Sequence, residues 1–120
     1  VLTNAKKFLK KDGVIIIDVP NGHSLHRQVG VEMGLLNKET DLNDADLSIG
    51  HQRVYIPETF KKDIETAGLK ISQYGGMFIK VLSNSQTEKV FSEEQCEALF
   101  KIGIQNPDIA AEIFAVAGLS

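Results

Sequence analysis

The sequence predicts an α/β fold, and two observations support that prediction. The run at 14–19 places five β-branched apolar residues around one aspartate, so it is apolar on both faces. Such a run is typical of a strand inside a parallel sheet, with helices packed above and below it. In addition, the segments 2–19 and 57–74 each have the pattern of a helix, a glycine and a strand. That pattern is half of a parallel crossover unit.

The first unit predicts a helix over 2–11 and a strand over about 13–19. Gly13 stands where a glycine is favoured after a helix, and Pro20 ends the strand because it has no amide hydrogen for the sheet. Open α/β sheets place their ligand crevice at the carboxyl ends of their strands. The polar residues at this end of the strand are Asp18, Asn21 and His23.

The segment between the two units is less regular. Apolar residues at helical spacing predict a helix over about 24–36, and 37–48 has the composition of an exposed acidic loop. A calcium loop is the alternative for this acidic segment. It is disfavoured because the alternating oxygen ligands, the central glycine and the closing glutamate are absent.

The second unit starts from an extended segment at 51–55 and predicts a helix that begins at Pro57, a favoured first position. A strand over about 69–74 follows, and then a bend at the Gly-Gly pair 75–76 with extended chain over 77–82. Because side chains alternate in extended chain, three polar or aromatic residues of the first segment share one side. They are His51, Arg53 and Tyr55.

The last third of the chain predicts one helix and one strand. Ser92 and Gln95 have the spacing of a capping box, which predicts a helix running to about residue 103. A short helical turn is expected after Asn106. The apolar run 113–117 is compatible with helix or strand, but its aromatic and β-branched content favours a last strand at about 112–119.

Composition excludes several classes of protein. The apolar share of 42% and the charged share of 24% are ordinary for a soluble globular domain. A net charge of −3 gives no reason to expect a nucleic-acid or membrane-surface partner. No apolar run reaches the roughly 20 residues of a membrane helix, and the single cysteine, Cys96, fits a reducing compartment. We therefore expect a cytoplasmic protein.

The order of these motifs resembles the C-terminal half of class I S-adenosylmethionine-dependent methyltransferases, in the branch that modifies small molecules and sugars. The resemblance covers nearly the whole chain, and the tail segments 76–80, 106–108 and 111–113 are also similar to that branch. The other matching residues are Leu9, Lys10, Gly13, Pro20, Asn21, His51, Tyr55, Phe60, Ala67, Gly68 and Leu69.

The resemblance implies a Rossmann-like sheet of seven strands whose last strand is antiparallel and inserted beside the fifth. This chain, 1–120, would be the C-terminal part of one such domain and would supply its last three strands. The segment 23–50 would be a variable insertion on the substrate side, and 77–111 an insertion before the last strand.

The family's cofactor motifs have no counterpart in these 120 residues. The Gly-rich turn after the first strand is absent, and so is the acidic residue that ends the second strand. S-adenosylmethionine is therefore implied for the full-length protein, with no cofactor-binding residue in this chain. We expect the full-length protein to methylate a small-molecule or sugar-linked acceptor and the 120-residue chain alone to be inactive.

The resemblance also implies that the substrate side lies at and after the first strand. His51 and His23 are the candidate catalytic bases, because histidine titrates near neutral pH. Asn21, Arg53 and Tyr55 are the candidate substrate-binding residues. Structural roles remain open for three of these five: shaping the Pro-Asn-Gly turn for Asn21, bonding loop backbone for His51, and pairing with the acidic segment 39–46 for Arg53.

No metal is expected. His23 and His26 have a spacing that can place two imidazoles on one helical turn, but the sequence indicates no third ligand at a fixed distance from them.

Two alternatives compete with the methyltransferase hypothesis. One is a non-catalytic α/β assembly module that has lost its cofactor half. The other is a different doubly wound enzyme, such as the C-terminal domain of a nucleotide-sugar enzyme or a dehydrogenase. A final antiparallel strand between the other two would argue against that second alternative. Because half a sheet exposes an edge and an apolar face, we expect the chain to self-associate or to pair with the missing N-terminal half.

Overall fold

The computed structural model describes residues 2–35 and 54–119 and has an α/β fold, as predicted. Three strands lie where the sequence placed them, apart from shifts of one to three residues at their ends. The helices are α1 (Leu2–Lys6), α2 (Leu25–Glu32), α3 (Pro57–Thr66), α4 (Asn84–Val90) and α5 (Glu93–Gln105); the strands are β1 (Val14–Pro20), β2 (Leu69–Met77) and β3 (Glu112–Leu119).

The three strands form one sheet in the order β1-β3-β2, and β3 is antiparallel to both neighbours. Strands β1 and β2 therefore run in the same direction but are separated by the last strand. The prediction of an antiparallel final strand is confirmed. Its position between the other two argues against the alternative of a dehydrogenase-like C-terminal domain.

The core lies on one face of this sheet. Its fully buried centre joins Phe60 and Ile64 of α3 to Ile113 of β3. Alternate residues of all three strands point to this face, because side chains alternate along a strand. The further members of the core and the partly buried residues packed on it are Leu69, Ala115, Ala117, Leu2, Leu9, Ile15, Ile17, Val19, Tyr55, Ile71 and Tyr74.

The first strand is buried on one face only, so the prediction that it is buried on both faces was wrong. Burial alternates along β1, and the side chains of Val14 and Ile16 are 57% and 71% exposed. The reason is that α5 packs on β2, at the far edge of the sheet. In the described part of the chain, an apolar strip on β1 is therefore left in solvent.

Three local predictions were wrong. Helix α1 ends at Lys6 instead of residue 11, and a separate turn follows, in which the Gly13 amide donates to the carbonyl of Lys10. Gly75 and Gly76 lie inside β2 and make no bend. They are needed there because a Cβ on Gly76 would lie 2.5 Å from the Cβ of Ala110.

The third error was the extended chain predicted over 77–82. Strand β2 ends at Met77, and the sequence reasoning overlooked α4, which begins soon afterwards. Its signal was present: Ser83 and Gln86 form a capping box, as Ser92 and Gln95 do for α5. Among the described helices, none has the length and apolarity needed to cross a membrane.

Candidate functional site

A cavity of about 680 Å³ lies at the edge of the sheet where β1 and β2 end and β3 begins. The antiparallel direction of β3 creates this arrangement, since it brings the first residue of β3 to the carboxyl ends of its neighbours. The described lining residues are Pro20, Asn21, Ser24, His26, Arg27, Met77, Phe78, Lys80, Asn84, Thr87, Glu88, Cys96, Phe100, Ala111 and Glu112.

Glu112 is at the centre of this edge. It is paired across the sheet with Pro20 on one side and with Met77 on the other, and it is half-buried. In its protonated form Glu112 hydrogen-bonds to Asp18, an exposed residue that lies two positions before Pro20 on the same face of the sheet. Burial raises the pKa of Glu112, and the hydrogen bond and negative charge of Asp18 raise it further, against the opposing effect of Lys80.

Two cationic groups line the same cavity. The Arg27 side chain is 5% exposed and Lys80 is half-buried. The pKa of His26 is lowered, first by burial and then by the positive charges of Lys80 and Arg27. His26 is therefore held mainly neutral at physiological pH. The cavity thus combines acidic, cationic and neutral imidazole groups within one small volume.

Phe78, in the wall of the cavity, has a strained backbone. Its φ angle is 66°, in the left-handed region that non-glycine residues seldom adopt. Its carbonyl accepts a 2.7 Å hydrogen bond from the amide of Ala111, and the next amide, of Ile79, donates to the carbonyl of Leu99. Gly103 of α5 packs so closely that a Cβ there would overlap the backbone nitrogen of Phe78. Strain maintained by its surroundings in this way is frequent at functional sites.

Asn21 lies beneath the cavity and acts on the backbone. Its side chain is 1% exposed, and its Nδ2 donates to the carbonyls of Pro107, Asp108 and Ala110 at 3.0, 3.2 and 2.9 Å. Its Oδ1 accepts from the amide of His23 at 2.9 Å. These bonds occupy the side-chain amide of Asn21. The contacts therefore favour a structural role for Asn21 over substrate binding.

His23 and Tyr55 do not join this cavity. His23 lines a second cavity of about 700 Å³ beside α3, together with Lys61, Lys62 and Asp108. The Tyr55 hydroxyl donates to Asp63 Oδ2 at 2.9 Å, and its ring packs edge-on against Phe60. The side chain of Tyr55 therefore supports the core. Its backbone carbonyl accepts a hydrogen bond from the amide of Gly22.

The second cavity is equally large but chemically less suggestive. Apart from His23, its titratable groups come from exposed surface residues of α3 and from exposed Asp108. The cavity at the strand ends instead combines the buried charge of Arg27, the half-buried carboxyl of Glu112 and the strained backbone of Phe78, so we take it as the candidate site. His51 and Arg53, the other predicted site residues, lie outside the described residues.

Of the five predicted site residues, Asn21 alone among those described reaches the candidate site. The sequence reasoning overlooked Glu112, Lys80 and Arg27. A signal for Glu112 was available: it directly precedes the apolar run of a strand predicted to be antiparallel. Such a residue must lie at the carboxyl edge of the parallel strands. No comparable signal places Lys80 or Arg27, because neither lies in a strand.

Within 2–35 and 54–119, no three histidine, cysteine or acidic side chains are grouped closely enough to hold a metal ion. No protein-family model matches the chain, and no curated protein matches it either.

Proposed function

We propose that this chain is the substrate-side, C-terminal half of an S-adenosylmethionine-dependent methyltransferase that acts on a small-molecule or sugar-linked acceptor. The observation that carries the proposal is the strand order, in which an antiparallel last strand lies between two parallel strands. This is the arrangement that the resemblance implies for the last three strands of that family. The argument from fold is an analogy, since folds host many functions, and the site must support it chemically.

The cavity suits a small, hydroxylated acceptor. Its mouth combines the half-buried groups Glu112 and Lys80 with the aromatic side chains of Phe78 and Phe100. Methyl transfer needs little covalent help from the protein, because it is an in-line displacement at a sulfonium methyl group. The protein must orient the acceptor and remove its proton. A wall of aromatic and polar groups can do the first, and the carboxyl of Glu112, which lines the cavity, can do the second.

The exposed strip on β1 supports the view that the sheet is the end of a larger Rossmann-like sheet. Val14 and Ile16 are apolar and exposed, and one edge of β1 is unpaired in the described residues. Exposed edges and apolar faces are usually covered in native proteins. A preceding parallel strand and its helix, from the missing N-terminal half, would cover both.

The deciding experiment is to sequence the coding DNA upstream of Val1 over about 100 residues, a usual scale for half a domain. We expect a strand, a Gly-rich turn and an acidic residue about 20 positions further on. The encoded protein should then transfer a labelled methyl group from S-adenosylmethionine to a panel of small-molecule and sugar-linked acceptors. Unrelated upstream sequence, or no transfer to any acceptor, would refute the proposal.

A non-catalytic assembly module is the second candidate, and the same exposed strip favours it. In that case the strip is a docking surface for another subunit. The two candidates differ in one respect, since the module needs no methyl donor. An upstream sequence without a Gly-rich turn, in a protein that assembles through β1, would favour the module.

A further inference from the structure

We infer that Glu112 is the catalytic residue that takes the proton of the methyl acceptor, and that Asp18 is its positioning residue. The inference deepens the proposed function and rests on it. It assigns the chemistry to a residue that the resemblance matched within the segment 111–113 without giving it a site role, in place of the histidines His23 and His51.

The sheet itself holds Glu112 in position. Residues on strands are positioned more rigidly than residues on loops, and Glu112 is paired with a strand on each side, through Pro20 and Met77. Its side chain lines the cavity, and Asp18 of the neighbouring strand lies on the same face of the sheet. His23, by contrast, precedes α2 and lines a different cavity. Glu112 therefore meets the geometric requirement for a base, which is a fixed carboxyl facing the substrate volume.

The surroundings of Glu112 strengthen its carboxylate as a base. Asp18 and partial burial make its carboxylate more basic than a free glutamate, whereas Lys80 limits that effect. A base is most effective when its pKa approaches the working pH. The remaining titratable groups that line the cavity are His26 and Arg27 of α2, Glu88 of α4 and Cys96 of α5.

The step balances as a simple displacement. The acceptor oxygen or nitrogen attacks the methyl carbon, and the carbon–sulfur bond breaks with its electron pair going to sulfur, which turns the sulfonium into a thioether. The acceptor's proton passes to a carboxylate oxygen of Glu112 and from there to solvent. The acceptor class is therefore a compound whose hydroxyl or amine must lose a proton as it is methylated.

The test uses the complete protein and the variant Glu112→Gln, which keeps the size of the side chain but cannot accept the proton. We expect kcat to fall by a factor of about 10² to 10⁴, the usual contribution of a general base. Glu94→Gln, on the exposed surface of α5 away from the cavity, is the matched control and should keep the wild-type kcat. Thermal unfolding checks that both variants are folded.

The role of Asp18 has its own measurement. In Asp18→Asn the negative charge beside Glu112 is lost, so the acidic limb of the kcat profile should move to lower pH. Carbon-13 NMR of the Glu112 carboxyl carbon should show the same downward shift of its pKa without any substrate present. A purely structural role for Asp18 would move neither.

Should Glu112→Gln fail to fold, Glu112→Asp is the second variant. We expect partial activity from it, because the carboxylate is kept but lies one methylene group further from the acceptor.

The possible outcomes separate the two proposals. A wild-type protein that methylates no acceptor refutes the proposed function, and this inference with it. An active wild-type protein whose Glu112→Gln variant keeps the same kcat and pH profile refutes the inference alone. An active wild type, a strongly impaired Glu112→Gln and an unaffected Glu94→Gln support both.

Discussion

At the residue scale, the loop before β3 depends on a single amide. Asn21 donates to three backbone carbonyls and is almost fully buried, so its loss leaves polar groups unsatisfied in the interior. We expect Asn21→Ala to reduce the free energy of unfolding by about 2 to 3 kcal/mol. Urea denaturation measures it. Asn106→Ala, which removes one bond from an exposed side chain, is the control and should cost well under half as much.

Replacement by phenylalanine should affect the stability of the protein differently at two tyrosines. The hydroxyl of Tyr74 is buried and has no hydrogen-bond partner among the described residues, and burial raises its pKa to about 12. The hydroxyl of Tyr55 donates to Asp63. Tyr74→Phe should therefore leave stability unchanged or raise it by up to about 1 kcal/mol, whereas Tyr55→Phe should lower it by about 1 kcal/mol. Equal losses in urea unfolding would contradict this assignment.

His26 makes stability depend on pH. Its pKa in the folded protein lies below the ordinary value of 6.5, so the unfolded chain binds the proton more readily. The stabilisation is therefore complete above pH 6.5 and is lost as the pH falls through the folded pKa. His26→Gln should remove this acid-side loss. Proton NMR should give His26 a pKa below 6.5, and Lys80→Met should raise it, because a nearby positive charge has been removed.

At the element scale, α5 fixes the cavity wall through one glycine. Gly103→Ala should gain about 1 kcal/mol from helix propensity, but its methyl group would overlap the backbone of Phe78. Overpacking of this kind costs about 1 to 3 kcal/mol, so we expect no net gain and a displaced Phe78. Amide chemical shifts at Phe78 and Ile79, with urea unfolding, measure this.

The exposed position Ala98 of the same helix provides the control for that experiment. Ala98→Gly should lose about 1 kcal/mol through propensity alone, and the shifts of Phe78 should stay in place. A Gly103→Ala variant that gains the full propensity term would show that the contact with Phe78 is loose.

At the scale of the whole molecule, the exposed strip on β1 should drive association. Ile16 is apolar and 71% exposed on an edge strand, a combination that favours pairing with another chain. We expect this chain to form dimers or larger species in sedimentation velocity at micromolar concentrations. Ile16→Lys should return it to a monomer without unfolding it. Val90→Lys, at an exposed apolar position on α4, should not change the association state.

Local sequence patterns predicted most of the elements because the information for them is local. The β-branched run, the glycine and proline punctuation and the Ser92 capping box determine strands and helix ends by interactions within a few residues. The errors arose where contacts from elsewhere override local preference. Gly75 and Gly76 continue a strand because α5 and the turn at Ala110 lie against them.

The candidate site was less predictable for the same reason. Its residues come from the ends of β1 and β2, the start of β3 and the helices α2, α4 and α5, and most of them form no motif along the chain. Asn21 has the sequence context of a ligand-binding residue, but its contacts are with backbone carbonyls 86 to 89 positions away. Contacts over such distances cannot be read from spacing.

By itself the sequence determined the α/β class and the three strands, because patterning and turn chemistry act over short stretches of chain. The direction of the last strand was expected only from the resemblance. Only the tertiary structure decided which face of β1 is covered, that Glu112 meets Asp18, and that Asn21 supports a loop. Those outcomes depend on which distant segments approach each other, and burial and electrostatics take their values from that approach.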